Sequence, residues 1–133
     1  MPNLTSEQAS QLADNFYYLG MAIGEFRYAN WDRLSLEENK ELSEMQNSIL
    51  RCGEDILAYA TKLIMDEVAT SLVQINTISQ EIKGSIKTLK NIQKGLNVAA
   101  VILILGVAIV NRKPDEISSS LKDLVDTWNT PLD

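Results

Sequence analysis

Only a few residues of this 133-residue chain belong to types that could carry out catalysis. The one thiol, Cys52, would need a neighbouring base to become a nucleophile, and the chain contains no histidine. The lack of histidine also excludes Ser-His-Asp catalysis and zinc sites that use histidine ligands. Cys52 lies among apolar residues at heptad spacing, which favours a buried structural thiol. These features predict a protein that is not an enzyme and holds no cofactor or metal.

The densest group of carboxylates stands where a helix is expected to begin. It consists of Glu37, Glu38, Glu41 and Glu44. These side chains spread around the helix and lie near its positive N-terminal end, where the helix dipole stabilises acidic groups. We therefore interpret the group as a solvated helix face and not as a metal site.

The most specific charged pattern in the chain is a series of lysines at intervals of three or four residues: Lys83, Lys87, Lys90 and Lys94. On one helix they would share a face. They belong to a basic block, residues 81–113, with six Lys and Arg against one acidic residue, whereas the whole chain has a net charge of −6. One interpretation is a solvent-exposed face that forms salt bridges to helix 2, the acidic helix predicted to begin at Ser35. The other is a binding face for an acidic protein partner or an anionic membrane surface. The acidic balance of the chain argues against nucleic acid as a partner.

The elements that would position these residues are helices, because helix-period patterns run through almost the whole sequence and no strand signal is present. Helix 1 is predicted to begin at Thr5, which has capping-box spacing to Gln8, and helix 2 at Ser35, which begins a second capping box. Pro114 suits the first position of helix 4. The sequence thus predicts a single all-α domain over residues 1–133. Its expected architecture is an antiparallel four-helix bundle with a long third helix and a short fourth helix.

Two apolar heptad runs, out of step with each other, are predicted to pack helices 2 and 3 along one another. We call them the helix 2–3 seam. The first run is Leu42, Met45, Ile49, Cys52, Ile56, Tyr59 and Leu63. The second run is Val68, Leu72, Ile75, Ser79, Ile82, Ile86, Leu89, Gln93 and Leu96. The reversal between the two helices is predicted near Asp66–Ser71. The alternative is one continuous helix to about Gly84, followed by a turn there.

Glycines inside the predicted helices indicate close contacts between helices. Gly20 and Gly24 lie one turn apart in helix 1, and each weakens a helix by about 1 kcal/mol relative to alanine. Their shared face predicts a close crossing with another helix. A further set falls eleven residues apart on one helix face, which indicates either a second close approach or chance: Gly84, Gly95 and Gly106.

Residues 96–110 contain one polar side chain, Asn97, in fifteen positions. At the helical rise this run is about 22 Å long, shorter than the about 30 Å of a bilayer core. No Trp or Tyr lies between Tyr59 and Trp128, so no aromatic belt frames the run. Helix 4 is expected to fold back over it, with helices 1 and 2 on its other sides, so that the end of helix 3 is apolar all round and fully buried. The centre of the run is Val101, Ile102, Leu103, Ile104 and Leu105.

The function that these patterns favour is a non-enzymatic helical interaction or scaffolding module. It would bind a protein partner or associate with itself through the exposed part of the helix 2–3 seam. The alternative is a membrane-active or membrane-anchored protein that uses residues 96–110. The layout of long helices with one hidden apolar stretch is similar to that of soluble α-helical pore-forming toxins, although helix 4 is too polar to be a second inserting arm. A single cysteine and the lack of a signal-peptide pattern predict a cytoplasmic protein, with membrane association as the alternative.

Overall fold

The computed structural model describes the backbone of residues 5–58 and 66–131, and the side-chain surroundings of residues 5–58 and 71–131. The described chain is helical and contains no strand, which confirms the all-α class. Short 3-10 turns lie at Trp31–Arg33 and Ile86–Thr88. The five α-helices are α1 Ser6–Ala29, α2 Leu36–Ala58, α3 Asp66–Ser85, α4 Ile92–Val110 and α5 Pro114–Asn129.

The long third helix of the sequence prediction is wrong, because residues 86–91 separate α3 from α4. The chain makes a 3-10 turn, Leu89 is extended, and the Asn91 side chain accepts a hydrogen bond from the Lys94 N–H at the start of α4. A turn thus follows Gly84, where the alternative interpretation placed one. The reversal predicted near Asp66–Ser71 is also wrong, because these residues lie within α3. Residues 59–65, between α2 and α3, lie outside the described chain.

The helices do not form the predicted antiparallel four-helix bundle. α1 packs against α2 and α3, α4 packs against α2 and α5, and α3 packs against α5, so the helix contacts form a closed circuit. α1 runs antiparallel to α2, since Gly20 approaches Leu50 while Gly53 approaches Ala13. It also runs antiparallel to α4, since Phe26 meets Gly95 while Phe16 approaches Gly106. The neighbouring helices α2 and α4 therefore point in the same direction.

The predicted close crossing at Gly20 and Gly24 is confirmed between α1 and α2. A Cβ atom added at Gly20 would lie 2.6 Å from Leu50 Cδ2, and one added at Gly24 would lie 2.5 Å from Gln46 Nε2. Real Cβ atoms do not approach other heavy atoms this closely, so a side chain at either position would require Leu50 or Gln46 to move away from α1. The two residues whose presence weakens α1 locally are the ones that let α2 pack against it.

The described apolar residues of the helix 2–3 seam lie in or against the core, but they do not pack α2 and α3 along one another as predicted, because α2 packs against α1 and α4 and α3 packs against α1 and α5. In α2 the seam residues Leu42, Ile49 and Ile56 are fully buried, and Cys52 is buried beside them. In α3 the seam continues into the same core through Ile75 and other buried residues. The apolar seam residues of the described chain are buried or half-buried. Among the described residues, the seam therefore offers no largely exposed apolar side chain for the predicted self-association, and Tyr59, Leu63 and Val68 lie outside the described side chains.

α4 is only partly covered, which contradicts the prediction that residues 96–110 have no exposed side. Ile102 and Leu105 are fully buried, and Val101 and Leu103 are half-buried. Ile104, however, is 57% exposed, and Val107, one turn further on, is 44% exposed. The reason is that α1, α2 and α5 all contact α4 from the inner side of the molecule. Among the described helices, α4 alone is long and apolar enough to cross a membrane, with 19 residues and a mean hydropathy of 2.0. In the folded protein, 44% of this apolar stretch is buried.

Candidate functional site

The four lysines singled out by their spacing do not share one helix face. Lys83 lies in α3, Lys87 in the 3-10 turn, Lys90 in the loop and Lys94 in the first turn of α4. Their predicted salt bridges to acidic helix 2 are not formed with the part of α2 that the structure describes. Lys83 and Lys94 instead place their Nζ atoms over aromatic rings, 4.2 Å from the Tyr18 centroid and 5.4 Å from the Trp128 centroid. Lys87 and Lys90 are exposed on the α3–α4 turn.

Hydrogen bonds join the α3–α4 turn to the α1–α2 turn. Asn30, which is almost fully buried, donates from Nδ2 to the Leu89 carbonyl at 3.2 Å and to the Phe26 carbonyl at 2.9 Å. Arg33 donates from Nη1 to the Lys90 carbonyl at 2.7 Å and to the Asn30 side-chain oxygen at 2.9 Å. A buried amide or a charged side chain holds its neighbours in a defined position when its hydrogen bonds are formed. These hydrogen bonds therefore hold the two turns together at one end of the molecule.

Aromatic side chains are exposed at this same end. The rings of Tyr28 and Trp31 stack, with centroids 5.8 Å apart and planes 14° apart. The Arg27 guanidinium lies over both rings, 5.7 Å from the Tyr28 centroid and 5.2 Å from the Trp31 centroid. Tyr28 is 71% exposed and Trp31 is 48% exposed. The group is therefore an ordered aromatic and cationic surface with open ring area.

The local sequence also forces a leucine into solvent. Ser35 and Glu38 form the predicted capping box: the Ser35 N–H donates to Glu38 Oε1 at 2.9 Å, and the Glu38 N–H donates to Ser35 Oγ at 3.0 Å. This box fixes the start of α2, and Leu36 becomes its first residue. Leu36 is 92% exposed, the largest exposure among the exposed large apolar side chains of the described chain.

We call residues 27–38 and 86–94 together the basic–aromatic end. It contains five cations, of which three are the lysines 87, 90 and 94, and three acidic residues. Since the whole chain has 12 cations and 18 acidic residues, the remainder has seven cations against fifteen acidic residues, a net charge of −8. The charge of the molecule is thus divided between a locally positive end and a strongly negative remainder.

The other candidate residues take structural positions. Cys52 is buried, and this burial is the main reason that the pKa of its thiol is raised. The nearby Asp55 carboxylate also raises this pKa, and Arg51 lowers it. This position matches the predicted structural thiol. Glu38 caps α2, while Glu37, Glu41 and Glu44 are exposed, as expected of a solvated helix face. Within the described residues, no group of three or more acidic or thiol side chains is placed to hold a metal ion.

Reasoning from the sequence missed Tyr28, Trp31 and Leu36 as candidate site residues. In this segment the sequence pattern predicts only the start of helix 2 at Ser35. The available signal was the combination of Trp and Leu with arginines in an otherwise polar turn, since large apolar residues there have no core face to join.

Comparisons of the chain with known protein families, with curated proteins and with solved structures find no match.

Proposed function

We propose that this protein is a non-enzymatic helical interaction module that binds an anionic surface through its basic–aromatic end. The observation that carries the proposal is the joining of two chain turns by Asn30 and Arg33. This joint places the cations of the α3–α4 turn beside the exposed Tyr28, Trp31 and Leu36 of the α1–α2 turn. The helices behind the end act as its scaffold.

The composition of this end supports binding. Tyr, Trp and Arg are enriched at the energetic centres of interfaces, because they combine apolar area with a polar group. The stacked Tyr28 and Trp31 rings under Arg27 are already ordered in the free molecule. A surface that is ordered before it binds loses less conformational entropy on association.

The charge distribution supports an anionic target. Lys87 and Lys90 are exposed and lie on the turn that Asn30 and Arg33 fix in place. Exposed charges separated by more than about 8–10 Å are largely screened at physiological salt. An anionic surface in contact with this turn therefore meets the exposed Lys87 and Lys90, while acidic residues at the far end of α1 are screened from it.

Chromatography on immobilised polyglutamate tests the proposal. A protein with a net charge of −6 should pass through such a column unless a local basic surface retains it. Retention is expected, and the variant Lys87→Glu with Lys90→Glu should elute at lower salt. The matched control, Lys113→Glu with Lys122→Glu, also exchanges two exposed cations for two anions and moves the net charge from −6 to −10, and it should elute like the wild type. Equal behaviour of the two variants, or no retention of the wild type, contradicts the proposal.

A second candidate function is membrane insertion of α4. It is favoured by the 19-residue length and mean hydropathy of 2.0 of this helix, and by the exposure of Ile104 and Val107. Insertion would require α4 to leave α1, α2 and α5 and to expose buried residues such as Ile102 and Leu105. Peripheral binding through the basic–aromatic end needs no such rearrangement, and for this reason we rank it first.

A further inference from the structure

We infer that the anionic surface is a phospholipid bilayer, which the basic–aromatic end touches with Trp31 and Leu36 while α4 stays in the bundle. The inference rests on the proposed function and names its target. It is a claim about docking at the interface of the bilayer and not about crossing it.

The exposed apolar side chains of this end have the chemistry of the interfacial zone of a bilayer. Trp and Tyr are enriched at the level of the lipid headgroups, because their rings are apolar and their N–H or O–H groups remain hydrated. Trp31 and Tyr28 combine open ring surface with these polar groups. Leu36, at the first position of α2, has almost its whole side chain available to enter the boundary between headgroups and acyl chains.

The charges of the end complement anionic headgroups. A cation near the surface of a cytoplasmic-type leaflet strengthens binding about fivefold, and the gain decays within a Debye length of about 8–10 Å. The 24 residues of α1 extend for about 36 Å along the bundle. Acidic residues at the far end of α1, such as Glu7, therefore lie about four Debye lengths from a bilayer that touches the basic–aromatic end. Asp32, Glu37 and Glu38 lie within the end and oppose its five cations, which leaves a local charge of +2.

The size of the apolar surface favours a bilayer over a folded protein partner. A standard protein interface uses about 20–30 residues on each side. Here the large exposed apolar side chains are Tyr28, Trp31 and Leu36, on a turn at the end of the bundle. A bilayer accepts so small an apolar contact because headgroup electrostatics supply the rest of the affinity.

Vesicle flotation of the full chain tests the inference. The protein is expected to float with phosphatidylcholine vesicles that contain about 30 mol% phosphatidylserine and to stay in solution with phosphatidylcholine alone. Trp31→Ala with Leu36→Ala should weaken binding about tenfold or more. Lys87→Glu with Lys90→Glu should weaken it at least about 30-fold, because two cations are lost and two anions are added. The matched control is Ile104→Ala with Val107→Ala, which trims two exposed apolar side chains of α4 and should leave binding unchanged.

The outcomes separate the inference from the proposed function. All of these residues are exposed or nearly so, and thermal melts followed by circular dichroism confirm that each variant is folded before its binding is compared. Retention on polyglutamate without vesicle binding overturns the bilayer and leaves an acidic protein partner, so that the proposed function stands. Failure of both assays overturns both. Loss of binding in the α4 variant but not in the Trp31 and Leu36 variant, or release of a trapped dye, shows that α4 enters the membrane and overturns docking through the end.

Discussion

Replacement of Gly95 by alanine is expected to lower the free energy of unfolding, because α4 begins directly against the ring of Phe26. A Cβ atom added at Gly95 would overlap three carbons of that ring. Phe26 is fully buried and cannot turn away into solvent. Overpacking of this kind costs about 1–3 kcal/mol, and the severity of this overlap places Gly95→Ala at about 3 kcal/mol. The better helix propensity of alanine returns about 1 kcal/mol. The net expectation is a loss of about 2 kcal/mol.

Urea unfolding and thermal melts followed by circular dichroism measure this loss. For a chain of 133 residues, about 2 kcal/mol corresponds to a decrease in Tm of about 8 °C. Gly84→Ala is the matched control, since Gly84 lies in α3 and nothing lies within 4 Å of an added Cβ. That substitution should raise the free energy of unfolding by about 0.5–1 kcal/mol through helix propensity and unfolded-state entropy.

The opposite signs of the two glycine substitutions make the test specific. A general intolerance of α3 and α4 to substitution would destabilise both variants. If Gly95→Ala is as stable as the wild type, α4 does not begin against Phe26, and the position of the α3–α4 turn next to α1 is incorrect. The double variant Gly95→Ala with Phe26→Leu should then show no coupling, whereas the observed packing predicts coupling of about 1 kcal/mol or more.

Three further predictions concern the partly covered helix, the joint between the turns and the buried thiol. Ile102→Ala should cost about 2–5 kcal/mol in urea unfolding because Ile102 is fully buried, whereas Ile104→Ala should cost less than about 0.5 kcal/mol because Ile104 is largely exposed. Asn30→Ala should cost about 1–3 kcal/mol by leaving the Leu89 carbonyl without its side-chain donor, and it should weaken vesicle binding although no charge changes. An effect on stability alone would show that the joint does not position the binding surface. Cys52 should react with iodoacetamide at neutral pH far more slowly in the folded protein than in urea, since burial hinders access and raises the pKa of the thiol. Because the thiol ionises more readily in the unfolded chain, Cys52 should lower stability as the pH rises above its ordinary pKa, and Cys52→Ala should remove that pH dependence.

Local signals in the sequence predicted the starts of α1, α2 and α5 correctly. The capping boxes at Thr5 and Ser35 are present, and Pro114 begins α5. The close crossing at Gly20 and Gly24 was predictable as well, because two glycines on one helix face have a packing cause. Each of these features depends on residues within a few positions of one another, where stereochemistry dominates.

The break between α3 and α4 was not predictable from the heptad pattern. Ile86 in the 3-10 turn is buried like Ile82 before it, so the apolar spacing continues through the turn although the helix does not. Asn91 was the one local signal, as a residue type that caps helices, and its effect depends on the hydrogen bond to the Lys94 N–H. The exposure of Ile104 could not be predicted for a different reason, because a sequence does not indicate how many helices will pack against a given helix.

The sequence alone indicated only part of the basic–aromatic end. The lysines stood out by their spacing, but their interpretation as one helix face was wrong. Their relation to Trp31 depends on the contact between Asn30 and Leu89, which are 59 residues apart. Contacts at such separations follow from the packing of whole helices, and no local pattern specifies them.

Amide hydrogen exchange, with and without phosphatidylserine-containing vesicles, tests the central claim most directly. Slower exchange is expected in residues 27–38 and 86–94, with no change in residues 98–110 of α4. This result would place the bilayer against the joined turns while the bundle stays closed. Altered exchange in residues 98–110, together with faster exchange in the helices that pack on α4, would contradict the claim, because it would show that the apolar helix leaves the bundle to meet the membrane.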